Sequence, residues 1–397
     1  MNKQVGDEDS LRGRVTSERT GKAAPRLALA AVRLETLRAA EADAPAPPEA
    51  MVASEMDGSF SFDNIGALAG DGSVALFTLS PLYVLLAPTG EVVGPGVPSV
   101  GQLLAAWGEG IRPKEAATLE LMVRPVCEHE PYTEMVPMSD GTPLATEIFL
   151  PDGEGPWPVV LTRTPYGRFA FHADAARAME AAYAFVAQDH RGRYDSDGEN
   201  IPFIGCGWEK YRDGYDTVEW IASQPWCNGK VATYGGSAMG ITQYLMAPTA
   251  PPHLVCQVIV VGTPDLFAHA DYPGGLLRKE QVVQWTTDCQ FDEKALQLYL
   301  RHYYRDEWTE RFNAAAPERV AQVRVPGLHI GGWYDIFNQG TVDGYWGRQH
   351  HGGEGARGTQ RLIMGPWTHG AGLPQSGPMR PRPHDEPLSA PSTLTTV

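Results

Sequence analysis

The sequence contains few cysteines, and they show no paired arrangement. Five cysteines occur in 397 residues, and no two of them form a C-x-x-C motif. Disulfide frameworks and structural zinc sites rely on even numbers of cysteines at close, regular spacings. The cysteine content therefore argues against both, and it indicates a reducing compartment.

Positive charge and long apolar runs are also scarce. Lys and Arg number 32 against 48 Asp and Glu, a formal net charge of −16. Because a phosphate-binding face needs clustered Lys and Arg, we expect neither nucleic acid nor a membrane as partner. The first residues lack the apolar stretch of a secretory signal. The longest apolar run, SVALFTLSPLYVLLAP, includes Pro81 and falls short of the roughly 20 residues that span a bilayer. These features predict a cytoplasmic protein.

The first 96 residues have the texture of a small β domain. In DGSFSFDNI, Asp57-Gly58 marks a turn, and Phe60 and Phe62 alternate with polar residues in the period of a half-buried strand. The pattern resembles the carboxypeptidase-regulatory (transthyretin-like) domain, which implies a β-sandwich-like fold; an unrelated small β domain is the alternative. Residues 97–116 are predicted to be a linker with one short helix, in SVGQLLAAWGEG.

From residue 117 to 370, strand and helix signals alternate. Two strands join at Asp140-Gly141, and near-continuous apolar segments such as PWPVVLTRT and HLVCQVIVV follow, as in strands buried on both faces. This alternation predicts an α/β fold with a doubly wound, mostly parallel sheet. Residues 265–322 lack strand signals and are predicted to form a helical cap. Residues 371–397 are Pro- and Ser-rich and are predicted to be disordered.

Ser237 is the candidate nucleophile, in the stretch YGGSAMG. A nucleophile elbow has the spacing G-x-S-x-G, but here Met239 takes the place of the second glycine, which comes at Gly240. An ordinary serine in a glycine-rich loop would look similar. An activated serine needs an imidazole, which in turn needs a carboxylate. Asp335 and His369 follow later strands in the order that α/β-hydrolases use, and this order favours a catalytic triad.

Other histidines are less suitably placed for this role. His329 lies within a predicted strand and is expected in the core. His350 and His351 are assigned to a glycine-rich, solvated loop, and His190 precedes the serine, which is the wrong order for this fold. His369 is therefore the predicted general base.

Several motifs together resemble one known family of hydrolases. RTPYG, QDHRGRYDSDGE, DGYDTVEWIASQPWCNGKV, YGGSAMG, GGWYDIF and GPWTHG are similar to those of the cocaine-esterase/X-prolyl dipeptidyl peptidase (CocE/NonD) family of α/β-hydrolases. The resemblance implies that Ser237 is the nucleophile, His369 the base and Asp335 the acid that orients it. It also implies an oxyanion hole formed by the backbone N–H of Ala238 and the hydroxyl of Tyr166. No metal or cofactor is expected.

Three further groups of residues are candidates for roles around the site, and two of these groups have an alternative interpretation. Three tryptophans are candidates for an acyl pocket, or else stacked core residues: Trp285, Trp333 and Trp367. Arg191, Arg193 and Asp197 are interpreted as ion pairs of the scaffold. Three acidic residues of the cap are candidates to bind an ammonium group, or else exposed charges: Asp288, Asp292 and Glu293.

Two features depart from the family pattern. Relatives often have tyrosine directly after the nucleophile, where this chain has Ala238. The resemblance also implies a C-terminal jelly-roll domain, whereas only the 371–397 segment follows here. The sequence thus predicts a serine hydrolase acting on a small ester, an amide or a short peptide. The alternatives are an X-prolyl dipeptidyl peptidase and a non-catalytic binding protein disabled by truncation.

Overall fold

The computed structural model describes residues 10–24, 27–55, 57–62, 65, 73–87, 89, 91–108, 110–111, 118–208 and 210–369. Two compact units make up the chain: Met1–Glu130 with Phe169–Ala176, and Pro131–Arg168 with Arg177–Val397. The segment 371–397, predicted to be disordered, lies outside the described residues.

The first unit contains two β-sheets. Its strands are β1 (Leu11–Ser17), β2 (Ala28–Arg33), β3 (Ala50–Ala53), β4 (Ser59–Phe62), β5 (Val74–Thr78), β6 (Tyr83–Leu86), β7 (Val92–Val93) and β8 (Leu119–Pro125). Two of its helices are α1 (Leu34–Arg38) and α2 (Val100–Trp107). One sheet has the strand order β4-β1-β8-β6-β7 and the other β3-β2-β5.

Strand β4 has the alternation that its sequence predicts, since Phe60 and Phe62 are buried and Ser59 and Ser61 are partly exposed. Strand β8 extends the first unit beyond the boundary expected from the sequence. It pairs in parallel with β1, with Gly13 opposite Leu119. Its alternating pattern shows that one face is buried but not which sheet it joins, so the expected start of the second domain at residue 117 lies within the first unit.

The second unit is built on an eight-stranded sheet. Its strands are β9 (Tyr132–Pro137), β10 (Pro143–Phe149), β11 (Trp157–Thr164), β12 (Ala184–Asp189), β13 (Cys227–Gly236), β14 (Leu254–Val260), β15 (Gly327–Tyr334) and β16 (Arg361–Thr368). They lie in the order β16-β15-β14-β13-β11-β12-β10-β9. In this order, all neighbouring pairs from β16 to β12 are parallel. Strand β10 pairs antiparallel with both β12 and β9. The predicted α/β fold with a mostly parallel sheet is confirmed.

Helices connect the parallel strands. They are α3 (His172–Glu180), which begins in the segment assigned to the first unit, then α4 (Asp213–Ala222), α5 (Ala238–Met246), α6 (Lys279–Asp288), α7 (Glu293–Arg301), α8 (Glu307–Glu310), α9 (Pro317–Val320) and α10 (Asn338–His351). Helix α4 buries Val218 and Ile221 in a cluster with strand residues of the sheet. The face of this helix that carries Val218 and Ile221 therefore packs on the core. Among the described residues, no helix is long and apolar enough to cross a membrane.

The segment between β14 and β15 is helical, as its lack of strand signals predicts. It contains a π-helical turn at Phe267–Asp271, a short 3-10 turn at Pro273–Gly275, and helices α6 to α9. The prediction that His350 and His351 lie in a loop is wrong, because both residues belong to the last turn of α10, which ends before Gly352.

Candidate active site

Ser237 occupies a strained turn between strand β13 and helix α5. Its backbone has φ 57° and ψ −121°, a conformation that costs a non-glycine residue about 1–3 kcal/mol. Its N–H donates to the carbonyl of Val260 at 2.9 Å. Strain of this kind at a strand-to-helix turn is the mark of a nucleophile elbow, which presents the serine side chain at the edge of the sheet.

The late glycine of YGGSAMG has a structural cause. A Cβ atom at Gly240 would lie 3.0 Å from the carbonyl oxygen of Val260 and 3.3 Å from the Cα of Gly262. The first turn of α5 can therefore approach the end of β14 only without a side chain at this position. Gly235 has φ +152°, and a Cβ there would lie 2.4 Å from the Cβ of Met239. Both glycines make room for the turn that carries Ser237.

Three predicted site residues meet at the carboxyl ends of three strands. Ser237 Oγ lies 2.8 Å from His369 Nε2, and His369 Nδ1 lies 2.7 Å from Asp335 Oδ2. Asp335 directly follows β15 and His369 directly follows β16. The Asp335 carboxylate is buried, and its Oδ1 accepts the N–H of Phe337 at 2.6 Å. Since a carboxylate only accepts, it fixes the proton of His369 on Nδ1 and leaves Nε2 free to accept from Ser237.

Two hydrogen-bond donors lie beside the serine. Ala238 is the first residue of α5, where backbone N–H groups have no acceptor within the helix. Tyr166 follows the end of β11, and its own N–H donates to Thr164 Oγ1 at 3.0 Å. The Tyr166 hydroxyl interacts with the Ser237 side chain, and burial raises the pKa of Tyr166 to about 12. This hydroxyl therefore stays protonated at neutral pH and can donate.

The sequence of this chain was compared with those of known protein families. The sequence profile described as "X-Pro dipeptidyl-peptidase (S15 family)" matches residues 140–298 and 289–371, more than half of the chain. The chain belongs to this family. The matched residues include Tyr166, Ser237, Asp335 and His369, so the S15 match covers the whole of the site described above.

Two relatives of this S15 chain are informative. It is 36% identical over 287 residues to cocaine esterase from Rhodococcus sp. (strain MB1 Bresler), an alignment that covers 59% of this chain and 48% of the relative. The crystal structure of an aminopeptidase from a marine sediment archaeon, Thaumarchaeota archaeon, aligns at 25% identity and a TM-score of 0.52, over 62% of this chain and 49% of that one. The chain thus spans about half the length of each.

A cavity of about 280 Å³ opens next to Ser237 in the S15 chain. It lies between the strand ends and the helical segment that follows β14, and Trp285 of α6 is part of its wall. Most of the wall is apolar. Other apolar residues that line it are Phe203, Ile241, Leu266, Val282, Ile336 and Phe337. A cavity with such a wall is suited to an apolar group attached to the reacting carbonyl.

Trp333 and Trp367, the other two tryptophans predicted to line the acyl pocket, do not line this cavity. Trp333 is 59% exposed at the end of β15. The Trp367 ring packs over the backbone of its own strand, since a Cβ at Gly365 would lie 2.6 Å from it. The prediction is wrong for these two because a residue's position near a strand end does not show which way its side chain points.

The sequence did not point to Asp271, which lies in the wall of the same cavity. Asp271 ends the π-helical turn. Burial raises its pKa to about 8, the negative charge of Asp265 adds to this rise, and Arg278 opposes it. The three acidic residues predicted to bind an ammonium group are exposed and lie outside the cavity wall: Asp288, Asp292 and Glu293. Nothing in the sequence pattern distinguishes Asp271 from other acidic residues of the cap.

Of the residues interpreted as scaffold ion pairs, Arg191 forms them, whereas Arg193 donates to the backbone carbonyls of Pro165 and Gln290. Arg191 is buried and pairs with Asp140 at 2.9 Å and with Asp213 at 2.6 Å. Its hydrogen bonds lower the pKa of Asp140 to about 2. Among the described residues Asp197 makes no ion pair; its backbone carbonyl accepts the N–H of Gly192 at 2.9 Å. The assignment of Asp197 as an ion-pair residue is therefore wrong.

His329 lies in the core, as predicted. It is fully buried, its Nδ1 lies 2.7 Å from the Tyr244 hydroxyl, and burial lowers its pKa to about 3. His190 is also buried, which lowers its pKa well below the ordinary value. Within the described part of the chain, no group of three or more His, Cys, Asp or Glu side chains is placed to hold a metal ion.

Proposed function

We propose that this chain is a serine hydrolase that cleaves small esters through an acyl-enzyme on Ser237. The observation that carries the proposal is the continuous pair of hydrogen bonds from Ser237 through His369 to Asp335, 2.8 and 2.7 Å long. The three residues lie at a strained strand-to-helix turn and at the ends of two neighbouring strands. This is the arrangement that makes a serine hydroxyl nucleophilic.

In the first half of the reaction, Ser237 Oγ attacks the ester carbonyl and its proton passes to His369 Nε2. Asp335 stabilises the resulting imidazolium, because its carboxylate accepts the Nδ1–H. His369 then gives the proton to the departing alcohol oxygen as the carbonyl–oxygen bond breaks. In the second half, water repeats these steps on the acyl-enzyme and releases the carboxylic acid.

The negative oxygen of the tetrahedral intermediate is assigned to the two donors beside the serine. The Ala238 N–H and the Tyr166 hydroxyl supply it with hydrogen bonds. A donor of this type typically contributes about 10²–10³ in rate, because it is already oriented when the charge develops. Burial raises the pKa of Tyr166 to about 12, so the hydroxyl keeps its proton over the pH range in which esterases are assayed.

The size and lining of the cavity support a substrate with a compact apolar acyl group. The cavity has a volume of about 280 Å³, close to the lower end of ordinary ligand sites. The similarity to a cocaine esterase supports ester rather than amide cleavage. Ala238 contributes to this space, because a larger side chain after Ser237 would occupy part of it.

The test is a stopped-flow assay with p-nitrophenyl acetate and butyrate. We expect a burst of p-nitrophenol whose amplitude equals the enzyme concentration wherever deacylation is slower than acylation. Ser237→Ala should abolish both burst and turnover, whereas Ser223→Ala, at an exposed serine, should leave both unchanged. Wild-type protein that turns over none of the esters, or equal activity in Ser237→Ala, would contradict the proposal.

A second candidate function is supported by Asp271. A carboxyl group in the wall of a mostly apolar cavity is suited to bind a substrate ammonium group, as the cleavage of aminoacyl or X-Pro substrates requires. Both the family description and the archaeal aminopeptidase are consistent with such substrates. Because the pKa of Asp271 is raised to about 8, activity on a cationic substrate should increase as the pH rises from 6 to 8.

Ala-Pro p-nitroanilide and its N-acetyl derivative distinguish the two functions. If Asp271 binds the ammonium group, Asp271→Asn should lower kcat/KM for the free-amine substrate at least tenfold and leave p-nitrophenyl ester hydrolysis nearly unchanged. Asp288→Asn, at an exposed carboxylate of the same segment, is the matched control. Equal rates on the free and acetylated anilides would rule out the second candidate and leave the esterase proposal intact.

A further inference from the structure

The hydroxyl of Tyr166 is tied to helix α6 of the cap by a hydrogen bond from Trp285. We propose that Trp285 is a positioning residue: its indole N–H holds the Tyr166 oxygen so that the hydroxyl proton is directed to the oxyanion. The inference rests on the proposed function, because it concerns the donor role assigned there to Tyr166.

The direction of the hydrogen bond carries the first step. Trp285 Nε1 lies 2.9 Å from the Tyr166 oxygen. An indole nitrogen can only donate, whereas a phenol has a single proton and can also accept. Tyr166 is therefore the acceptor in this pair, and its own proton is left for a second partner. The oxyanion forms on the substrate carbonyl beside Ser237, and Tyr166 lines the same cavity as Ser237.

A hydrogen bond donated to a hydroxyl oxygen also makes that hydroxyl a better donor, because chained hydrogen bonds polarise one another. The effect is strongest away from water, and the hydrogen bond between Trp285 and Tyr166 is partly buried. Trp285 therefore acts on the reaction in two ways: it fixes the direction of the Tyr166 proton and it strengthens the bond which that proton makes.

The Trp285 ring is itself held in place. It stacks on Phe203 with ring centroids 5.7 Å apart and an interplanar angle of 11°, and it contacts Phe291 at 4.9 Å. A rigid donor matters here, because the benefit of a positioned hydrogen bond is lost when the donor moves freely.

Arg193 contacts both Phe291 and the backbone next to Tyr166. Its guanidinium lies 4.5 Å from the centre of the Phe291 ring, and its Nε donates to the carbonyl of Pro165 at 3.0 Å. Pro165 precedes Tyr166 in the chain, so Arg193 fixes the backbone of the same tyrosine whose hydroxyl Trp285 holds. The cap thus contacts Tyr166 directly through Trp285, and Arg193 connects Phe291 of the cap to the carbonyl that precedes Tyr166.

Trp285→Phe tests the inference, because it keeps an aromatic ring and removes only the N–H donor and part of the ring area. We expect kcat for p-nitrophenyl butyrate to fall roughly threefold to tenfold, the usual effect of one hydrogen bond. Trp308→Phe is the matched control. Trp308 also lies in the cap and contacts His302 and Phe312, but it does not line the catalytic cavity.

A double-mutant cycle with Tyr166→Phe separates positioning from general packing. If Trp285 acts through Tyr166, Trp285→Phe should have no further effect on kcat in the Tyr166→Phe background. Affinity for butylboronic acid, which forms a tetrahedral adduct with the serine, should fall in parallel with kcat. Phe291→Leu, which loosens the indole but keeps its N–H, should give a smaller loss of kcat, also absent in the Tyr166→Phe background.

The inference fails if Trp285→Phe retains full activity, if Trp308→Phe loses as much, or if the Trp285→Phe loss persists in the Tyr166→Phe background. Melting temperatures for each variant show whether a loss comes from unfolding; Phe291→Leu replaces Trp285→Phe if the latter does not fold. These results differ from a failure of the proposed function, in which wild-type protein would be inactive or Ser237→Ala active.

Discussion

Replacement of Asp335 by asparagine changes the chemistry of the site while keeping its shape. Asp335 Oδ2 accepts the Nδ1–H of His369 at 2.7 Å, and Oδ1 accepts the N–H of Phe337 at 2.6 Å. An amide can keep the second bond through its oxygen and then presents its NH₂ group to His369. That group donates, so the imidazole proton must move to Nε2. A protonated Nε2 can no longer accept the hydrogen bond from Ser237.

The size of the effect follows from two contributions. The buried Asp335 carboxylate attracts the imidazolium of the transition state by about 4 kcal/mol, for charges roughly 4 Å apart at an effective dielectric constant of about 20. Loss of this attraction corresponds to about 10³ in rate. Reversal of the tautomer adds to it, and the same substitution in a Ser-His-Asp protease costs about 10⁴ in kcat. We therefore expect Asp335→Asn to lower kcat by about 10³–10⁴.

The assay is steady-state hydrolysis of p-nitrophenyl butyrate, with the melting temperature measured beside it. Asp343→Asn is the control, because Asp343 also pairs with a histidine, His269 Nε2 at 3.1 Å, and neither residue lines the cavity beside Ser237. We expect Asp343→Asn to keep activity within a fewfold of wild type. A folded Asp335→Asn protein with near-normal turnover would refute the assignment of Asp335 as the residue that orients His369.

Three further predictions concern stability. The pKa of Asp271 is raised to about 8 in the folded protein. Between about pH 4 and pH 8 the folded state therefore holds a proton that the unfolded state has released. Wild type consequently loses stability as the pH rises to 8. Asp271→Asn should therefore melt higher than wild type at pH 8 and show a smaller difference at pH 5. Asp189→Asn removes a buried partner of Arg168, 2.5 Å away, and should lower the free energy of unfolding in urea by about 3 kcal/mol. Gly344→Ala would place a Cβ 2.3 Å from the Tyr244 hydroxyl and should cost about 1–3 kcal/mol in the same assay.

The part of the site that could be predicted from the sequence is the part that depends on strand ends. Ser237, Asp335 and His369 each directly follow a strand of the parallel sheet. Parallel strands bring their carboxyl ends to one edge, so position in the chain is sufficient to predict proximity in space. Val218 and Ile221 lie three residues apart, a helical spacing that places both on the face of α4 buried against the sheet.

Other features depend on tertiary contacts that leave no local pattern. Arg191 finds its partners at Asp140 and Asp213, which are 51 and 22 residues away in the chain, and no local pattern links them. Asp271 differs from the exposed acidic residues of the cap by lying in the wall of the cavity. Strand β8 joins the first unit because of its parallel pairing with β1, a long-range choice that its own alternation cannot specify.

A fluorophosphonate probe shows whether Ser237 is the nucleophile of a serine hydrolase. Such probes react covalently with activated serines, and digestion followed by mass spectrometry identifies the modified residue. We expect a single adduct on Ser237 in wild type and no adduct in Ser237→Ala. Wild-type protein that remains unlabelled, or labelling of Ser237→Ala equal to that of wild type, would contradict it.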